Sequence, residues 1–179
     1  QAAVRGGATM VQLRLKQANP QQLAEVARQL LQSVSVPIVI NDRVDVALAV
    51  GAAGVHLGPD DLPPDRVRAM VPSGFLIGVS VGSVEEAAAG TAGDYWGVGP
   101  LRLTGTKADA GAALGIDGFR RLGEAGRGRP CVAIGGVQAA DVAAVLAAGG
   151  AGVAVVSGIF GAVDIEAAAR CYLAAVTAR

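Results

Sequence analysis

One unit recurs from end to end of this chain: an amphipathic helix, a glycine-containing stop, a short apolar strand, and a polar or glycine-rich end to that strand. Each helix returns the backbone to the side where the last strand began, so successive strands must run parallel. Apolar runs and β-branched residues predict strands over 10–14, 36–40, 54–57, 75–80, 95–99, 131–134 and 152–156. Helical spacing predicts helices over 21–34, 44–50, 64–70, 84–90, 117–123, 140–148 and 165–178. The approaches to the strands echo one another, as in Gly51-Ala52-Ala53-Gly54-Val55 and Gly150-Ala151-Gly152-Val153.

Those are seven strands, and the number matters. The chain opens on Gln1-Ala2-Ala3-Val4-Arg5-Gly6-Gly7, which reads as the end of a helix with its glycine stop. A helix that comes first implies a strand before it, and one more strand makes the eight that close a (β/α)8 (TIM) barrel. The expected fold is therefore α/β: a single barrel domain over residues 1–179 that lacks its N-terminal strand. The alternative is an open, doubly wound sheet, which requires a switch in strand order.

Composition removes several classes of function. Fifteen basic and fifteen acidic residues cancel, so nothing favours duplex nucleic acid or an anionic membrane, and 3% aromatic content is too sparse to stack bases. Residues 142–163 carry no charge, but Gly149-Gly150-Ala151-Gly152 interrupts them and Val153 to Val156 is a dense β-type run. Helix, turn and buried strand are expected there, not a bilayer span. No signal peptide is visible, and Cys131 and Cys171 read as two buried thiols in a reducing compartment, so a cytoplasmic protein is expected. The oligomeric state is left open, a homo-oligomer included.

The strand ends carry the chemistry. Gln12, Arg14 and Lys16 alternate with Val11, Leu13 and Leu15, which puts the polar three on one face. In a barrel that face points inward, and Arg beside Lys at the mouth suits phosphate oxygens. Asn41 and Asp42 follow one strand, Asp60 and Asp61 the next. Parallel neighbours end side by side, so Asp42 and Asp61 can share a cavity and hold a hard cation such as Mg²⁺. The competing reading is that both merely cap the helices after them. His56, the only histidine, stands between Val55 and Leu57 and reads as a hydrogen-bonded core group. Gly78 shares a face with Ser80, and Gly97 with Gly99. Either these small residues leave volume for a flat ligand, or they let helices pack closely.

Two further stretches belong to the same rim. Residues 99–111 form a polar, glycine-rich loop bearing Thr104, Thr106 and Lys107, too long for a minimal connection and suited to binding ligand. Ile134-Gly135-Gly136 and Val155-Val156-Ser157-Gly158 end the last two strands. Loops at those positions of a (β/α)8 barrel commonly form a phosphate site.

Together these motifs resemble the thiamine phosphate synthase (thiamine-phosphate pyrophosphorylase) family over nearly the whole chain. They are Val-Gln-Leu-Arg-Leu-Lys at 11–16, Ile-Asn-Asp-Arg at 40–43, His-Leu-Gly-Pro-Asp-Asp at 56–61, Gly-Val-Ser at 78–80, Thr-Gly-Thr-Lys at 104–107, Ala-Ile-Gly-Gly at 133–136 and Val-Val-Ser at 155–157. The resemblance implies a transferase of thiamine biosynthesis that joins hydroxymethylpyrimidine diphosphate to thiazole phosphate and releases diphosphate. It implies that Gln12, Arg14, Lys16, Asn41, Ser80 and Lys107 hold the pyrimidine diphosphate, and that Asp42 and Asp61 hold Mg²⁺. It assigns the thiazole phosphate to Thr104, Thr106, Gly136, Val156 and Ser157. Arg14, Lys16 and Lys107 would then neutralise the departing diphosphate.

Three residues depart from the family's pattern. Pro59 stands where Gln is usual, Gly82 where His is frequent, and Arg102 where an apolar or aromatic residue is common. The family's thiazole tautomerase branch depends on a His at the position of Gly82 and has no need of the full diphosphate-binding set, so the synthase reading is favoured. A phosphate-binding paralogue without turnover is the remaining alternative.

Overall fold

The computed structural model describes residues 1–103 and 111–178. Its strands are β1 (Val11–Leu13), β2 (Ile38–Asn41), β3 (Gly54–Leu57), β4 (Leu76–Val81), β5 (Tyr95–Val98), β6 (Cys131–Ile134) and β7 (Gly152–Ala154). All lie in one sheet, and each pairs parallel with the next in the chain. A doubly wound sheet would reverse its strand order somewhere, and this one does not. Residues after β1 and after β7, the two edges, line the same cavity, so the sheet is curled. The architecture fits a (β/α)8 barrel missing one strand.

The helices are α1 (Ala2–Arg5), α2 (Pro20–Ser33), α3 (Val44–Val50), α4 (Pro64–Arg68), α5 (Val84–Ala89), α6 (Gly115–Ala125), α7 (Val142–Ala147), α8 (Ser157–Phe160) and α9 (Ile165–Thr177). Local chemistry explains their starts. Asn19 and Gln22 form a capping box ahead of α2, with Pro20 at its first position. Ser83 Oγ accepts from Glu86 N at α5, and Asp164 Oδ1 from Ala167 N at α9. The segment 142–163 is α7, β7 and α8, and among the described residues no helix is long and apolar enough to cross a membrane.

Boundaries differ from the sequence expectation by one or two residues at most elements, while β3, β6 and α3 coincide with it. Two differences have physical causes. The strand expected over 152–156 stops at Ala154 because Val156 and Ser157 turn into α8, whose four residues are too few to show a period. Cys171 is exposed, not buried, because α9 buries only Ala169 deeply.

The core is one continuous layer between sheet and helices. Ile38, Ile40, Val55, Leu57, Ile77 and Trp96 of the strands meet Leu23 and Ala27 of α2, Val67 of α4 and Phe119 of α6. Every residue of β2 and β3 is buried, as expected of strands covered on both faces, whereas all of edge strand β7 is only half-buried. A second small cluster of Ala3, Ile159 and Ala169 packs α1, α8 and α9 together. The ion pair of Arg5 Nε with Glu166 Oε2, at 2.8 Å, crosses its surface.

Candidate functional site

The carboxyl ends of the strands surround a cavity of about 470 Å³. Gln12 and Arg14 enter it from β1 and the turn after it, Ser80 from β4, Gly97 from β5 and Gly99 just past it, Gly135 and Gly136 from the turn after β6, Val156 from the turn after β7 and Ser157 from the start of α8. Six of the residues expected at the site (Gln12, Arg14, Ser80, Gly136, Val156 and Ser157) therefore share one space. Thr104, Thr106 and Lys107 lie outside the described residues.

Asp42 and Asp61 form a pair beside this cavity. Asn41, buried, ends β2, and Asp42 follows it with φ 65°, its N–H donating to His56 O at 2.8 Å. That hydrogen bond seats Asp42 at the end of β3, where Asp61 also lies. Neither carboxylate caps a helix: Arg43 precedes α3 and Pro63 precedes α4, both without a side-chain cap, and Asp61 Oδ2 accepts from Gly58 N at 2.7 Å. Burial raises the Asp42 carboxyl above the ordinary carboxylate range, and its hydrogen bond and charge contact with Asp61 raise it further. Lys16 and Arg14 pull it back down. Arg14 thus belongs to both halves of the site, while Lys16 stays exposed at the rim.

This donor set fits a hard cation. Two carboxylates in contact repel each other unless a proton or a cation lies between them. Among the described residues no group of three or more His, Cys, Asp and Glu could hold a metal. A cation at Asp42 and Asp61 would take its other ligands from water and from a phosphate, which is the habit of Mg²⁺.

Two features suit anions. Among the described residues Arg14 Nε is buried and has no hydrogen-bond partner, an arrangement that suits an acceptor supplied by a ligand. At the opposite wall Gly135 and Gly136 have φ 85° and 64°, a left-handed pair that only glycine adopts without strain. The turn they make is held from outside: Leu101 N donates to Ile134 O at 2.8 Å, and Arg102 N to Gly135 O at 3.0 Å. Arg102 Nε and Nη2 grip both oxygens of Asp141 at 2.9 and 2.6 Å, and Tyr172 OH donates to Val137 O at 3.1 Å. Asp141, 8% exposed, also accepts from Gln138 N. The Arg102 contact holds its carboxyl below the usual range.

His56 is the hydrogen-bonded core group expected. It is 4% exposed, with Nδ1 at 3.1 Å from Tyr95 OH and Nε2 at 3.0 Å from Ser80 Oγ. The glycines around it answer the question of volume. Gly97 and Gly99 border the cavity, but the space over Gly78 is filled: a Cβ there would lie 2.3 Å from Tyr95 OH and 2.5 Å from His56 Nδ1. Gly82 also borders the cavity, and a Cβ on it would come within 2.9 Å of Gly99 O. Pro59 lines the same wall.

Sequence reasoning missed Arg102 with Asp141, Tyr95, and Glu86, whose Oε2 accepts from Gly82 N at 2.6 Å. Glu86 had a local signal, the Ser83-x-x-Glu86 capping pattern. Arg102 was noticeable only as a charge in an apolar place, and nothing local pointed to Asp141.

The family model described as thiamine monophosphate synthase matches residues 1–159. A thiamine-phosphate synthase of Azorhizobium caulinodans is 52% identical over 173 residues, 94% of this chain and 81% of that protein. One from Xanthobacter autotrophicus is 52% identical over 182 residues, 99% of this chain and 86% of its own length. The solved thiamine phosphate pyrophosphorylase of Pyrococcus furiosus superposes with a TM-score of 0.87 at 38% identity, covering 98% of this chain and 86% of that one.

Proposed function

The chain belongs to the thiamine monophosphate synthase family, and we propose on that premise that it joins hydroxymethylpyrimidine diphosphate to thiazole phosphate in the cavity at its strand ends. It is a transferase: the bond from the pyrimidine methylene carbon to diphosphate oxygen breaks, and the thiazole nitrogen forms a new bond to that carbon. The electron pair of the broken bond leaves with diphosphate. The single observation that carries the reading is the juxtaposition of the Asp42–Asp61 pair with Arg14, whose Nε is buried without a partner among the described residues.

Arg14 binds the diphosphate from the cavity side and Lys16 from the rim. Both stabilise its charge more as it leaves than before, which is what accelerates the step. Asp42 and Asp61 would hold Mg²⁺, which supplies further positive charge to the diphosphate when bound. Gln12, Asn41 and Ser80 orient the pyrimidine diphosphate. Gly136, Val156 and Ser157 hold the thiazole phosphate at the opposite wall, so the two substrates meet across the cavity. Thr104, Thr106 and Lys107 serve the same reaction in this reading, Lys107 as a further cation toward diphosphate. The substrates are charged phosphates retained within cells, so the reaction belongs in the cytoplasm.

The isomerase branch fits less well. The position that would need a histidine is Gly82, and it packs against Gly99 O too closely to accept any side chain without a shift. The test is diphosphate release from the chain given both substrates and Mg²⁺, with EDTA as control. Release that requires both substrates and the metal supports the synthase. Tight binding of either phosphate compound without release overturns it.

A further inference from the structure

Three neighbouring strands place three residues in one row. His56 of β3 stands in register with Gly78 of β4, and Gly78 with Tyr95 of β5. Because Gly78 has no side chain, the Tyr95 ring crosses over β4 and its hydroxyl meets His56 Nδ1 at 3.1 Å. The ring centroids are 5.6 Å apart. One level higher, the other ring nitrogen, Nε2, meets Ser80 Oγ at 3.0 Å, and Ser80 lines the cavity. The chain of contacts therefore runs from phenol through imidazole to a hydroxyl at the substrate.

Only two proton arrangements satisfy both hydrogen bonds of a neutral imidazole. In the first, the phenol donates to Nδ1, the ring proton sits on Nε2 and donates to Ser80 Oγ, and the hydroxyl hydrogen of Ser80 is free to point into the cavity. In the second, Ser80 donates to Nε2, Nδ1–H donates to the phenol oxygen, and the phenol hydrogen has no acceptor among the described residues. A donor left unmade inside the barrel costs more than the alternative, so the first arrangement wins. Burial lifts the Tyr95 phenol to a pKa of about 12, which keeps its proton in place.

We propose that Tyr95 and His56 are positioning residues: their contact across Gly78 fixes the ring proton on Nε2 and so makes Ser80 a hydrogen-bond donor toward the ligand. The acceptor is an atom of the pyrimidine diphosphate, an identification that rests on the function proposed above. A serine locked as a donor also discriminates, because it rejects a ligand that presents a donor at that point.

His56 is the only histidine of the chain, so its ring nitrogens are read without assignment ambiguity. Untagged protein labelled with ¹⁵N-histidine, without substrate at neutral pH, should show a protonated Nε2 and an unprotonated Nδ1 in long-range ¹H–¹⁵N spectra. A protonated Nδ1 with a bare Nε2 overturns the proposal, whatever the enzyme's activity. With substrates, Tyr95→Phe should lower kcat/KM by about tenfold, the scale of one oriented hydrogen bond. The same substitution made in Ser80→Ala protein should change it less than about twofold, because the residue it acts through is gone. An undiminished Tyr95→Phe effect in the Ser80→Ala background would mean that Tyr95 only supports the fold, and would overturn the role. If the unmutated chain shows no activity, the function reading fails while the nitrogen spectrum still decides the tautomer.

Discussion

Arg102 holds both carboxylate oxygens of Asp141 across 39 residues of sequence, and this pair braces the Gly135–Gly136 turn from outside the cavity. Arg102 N reaches Gly135 O, and Asp141 Oδ2 reaches Gln138 N, so the two side chains join the end of β5 to both sides of the turn. Such a brace reduces the ordering that an anion must impose when it binds the turn.

Arg102→Met should therefore raise KM for thiazole phosphate several-fold while kcat stays within about twofold, the pattern of lost ground-state binding. Steady-state kinetics with the second substrate saturating measures it. A fall in kcat at unchanged KM would contradict the bracing role. Arg102 is half-exposed, so added salt should weaken the unmutated enzyme's thiazole phosphate binding through the same contact, and the variant less.

Asp141 has its folded carboxyl held below the ordinary range, first by the Arg102 hydrogen bond. A depressed carboxylate contributes stability that is present above the unfolded value and lost as pH falls through the folded one. The melting temperature should fall with acidification below about pH 4, where unfolded carboxylates protonate. Asp141→Asn should melt lower at neutral pH and show a shallower acid limb. Parallel Tm–pH curves for the two proteins would refute this.

The topology was legible because the helix–strand alternation persists from residue 10 to the C-terminal helix, and every strand then pairs with its neighbour in sequence. That Gln12 and Arg14 face the cavity was legible from period-two alternation, and His56 as a core residue from Val55 and Leu57 beside it. Tyr95 was not, because its role depends on register: it lies 39 residues from His56 and meets it only across a glycine. For the same reason the space over Gly78, open in the sequence to either ligand volume or close packing, is occupied. Cys171 was misjudged because small residues surround it on α9, which reads as an apolar face from sequence but packs deeply only at Ala169.

Asp42→Asn separates metal binding from folding. The folded-state carboxyl is raised, so its contribution favours the fold below the unfolded pKa and is lost as pH rises through the folded one; at neutral pH its charge beside Asp61 is a liability. Asparagine keeps the size and tolerates φ 65°. The metal-free variant should melt at or above the unmutated chain, lose any rise in Tm on adding Mg²⁺, and turn over at least about a hundredfold more slowly, since a bound metal contributes several kcal/mol to such a step. Mg²⁺ that stabilises the variant as well as the unmutated chain would remove Asp42 from the metal site.

Two glycine substitutions should have opposite signs. Gly78→Ala drives a Cβ within 2.5 Å of both Tyr95 and His56, groups held by their own hydrogen bonds, so the row must spread. Overpacking of that kind costs about 1–3 kcal/mol. Gly123, inside α6, meets only Cys131 Sγ, at 3.9 Å, an ordinary contact. Gly123→Ala there removes backbone freedom from the unfolded chain and should stabilise by about 0.5–1 kcal/mol. Urea denaturation of both variants reads the two changes as shifts of midpoint in opposite directions. Only the Gly78 variant should also lose activity, because it moves the residues behind Ser80. If Gly78→Ala kept both midpoint and turnover, the Tyr95–His56 contact would not be the close fit that the register makes it.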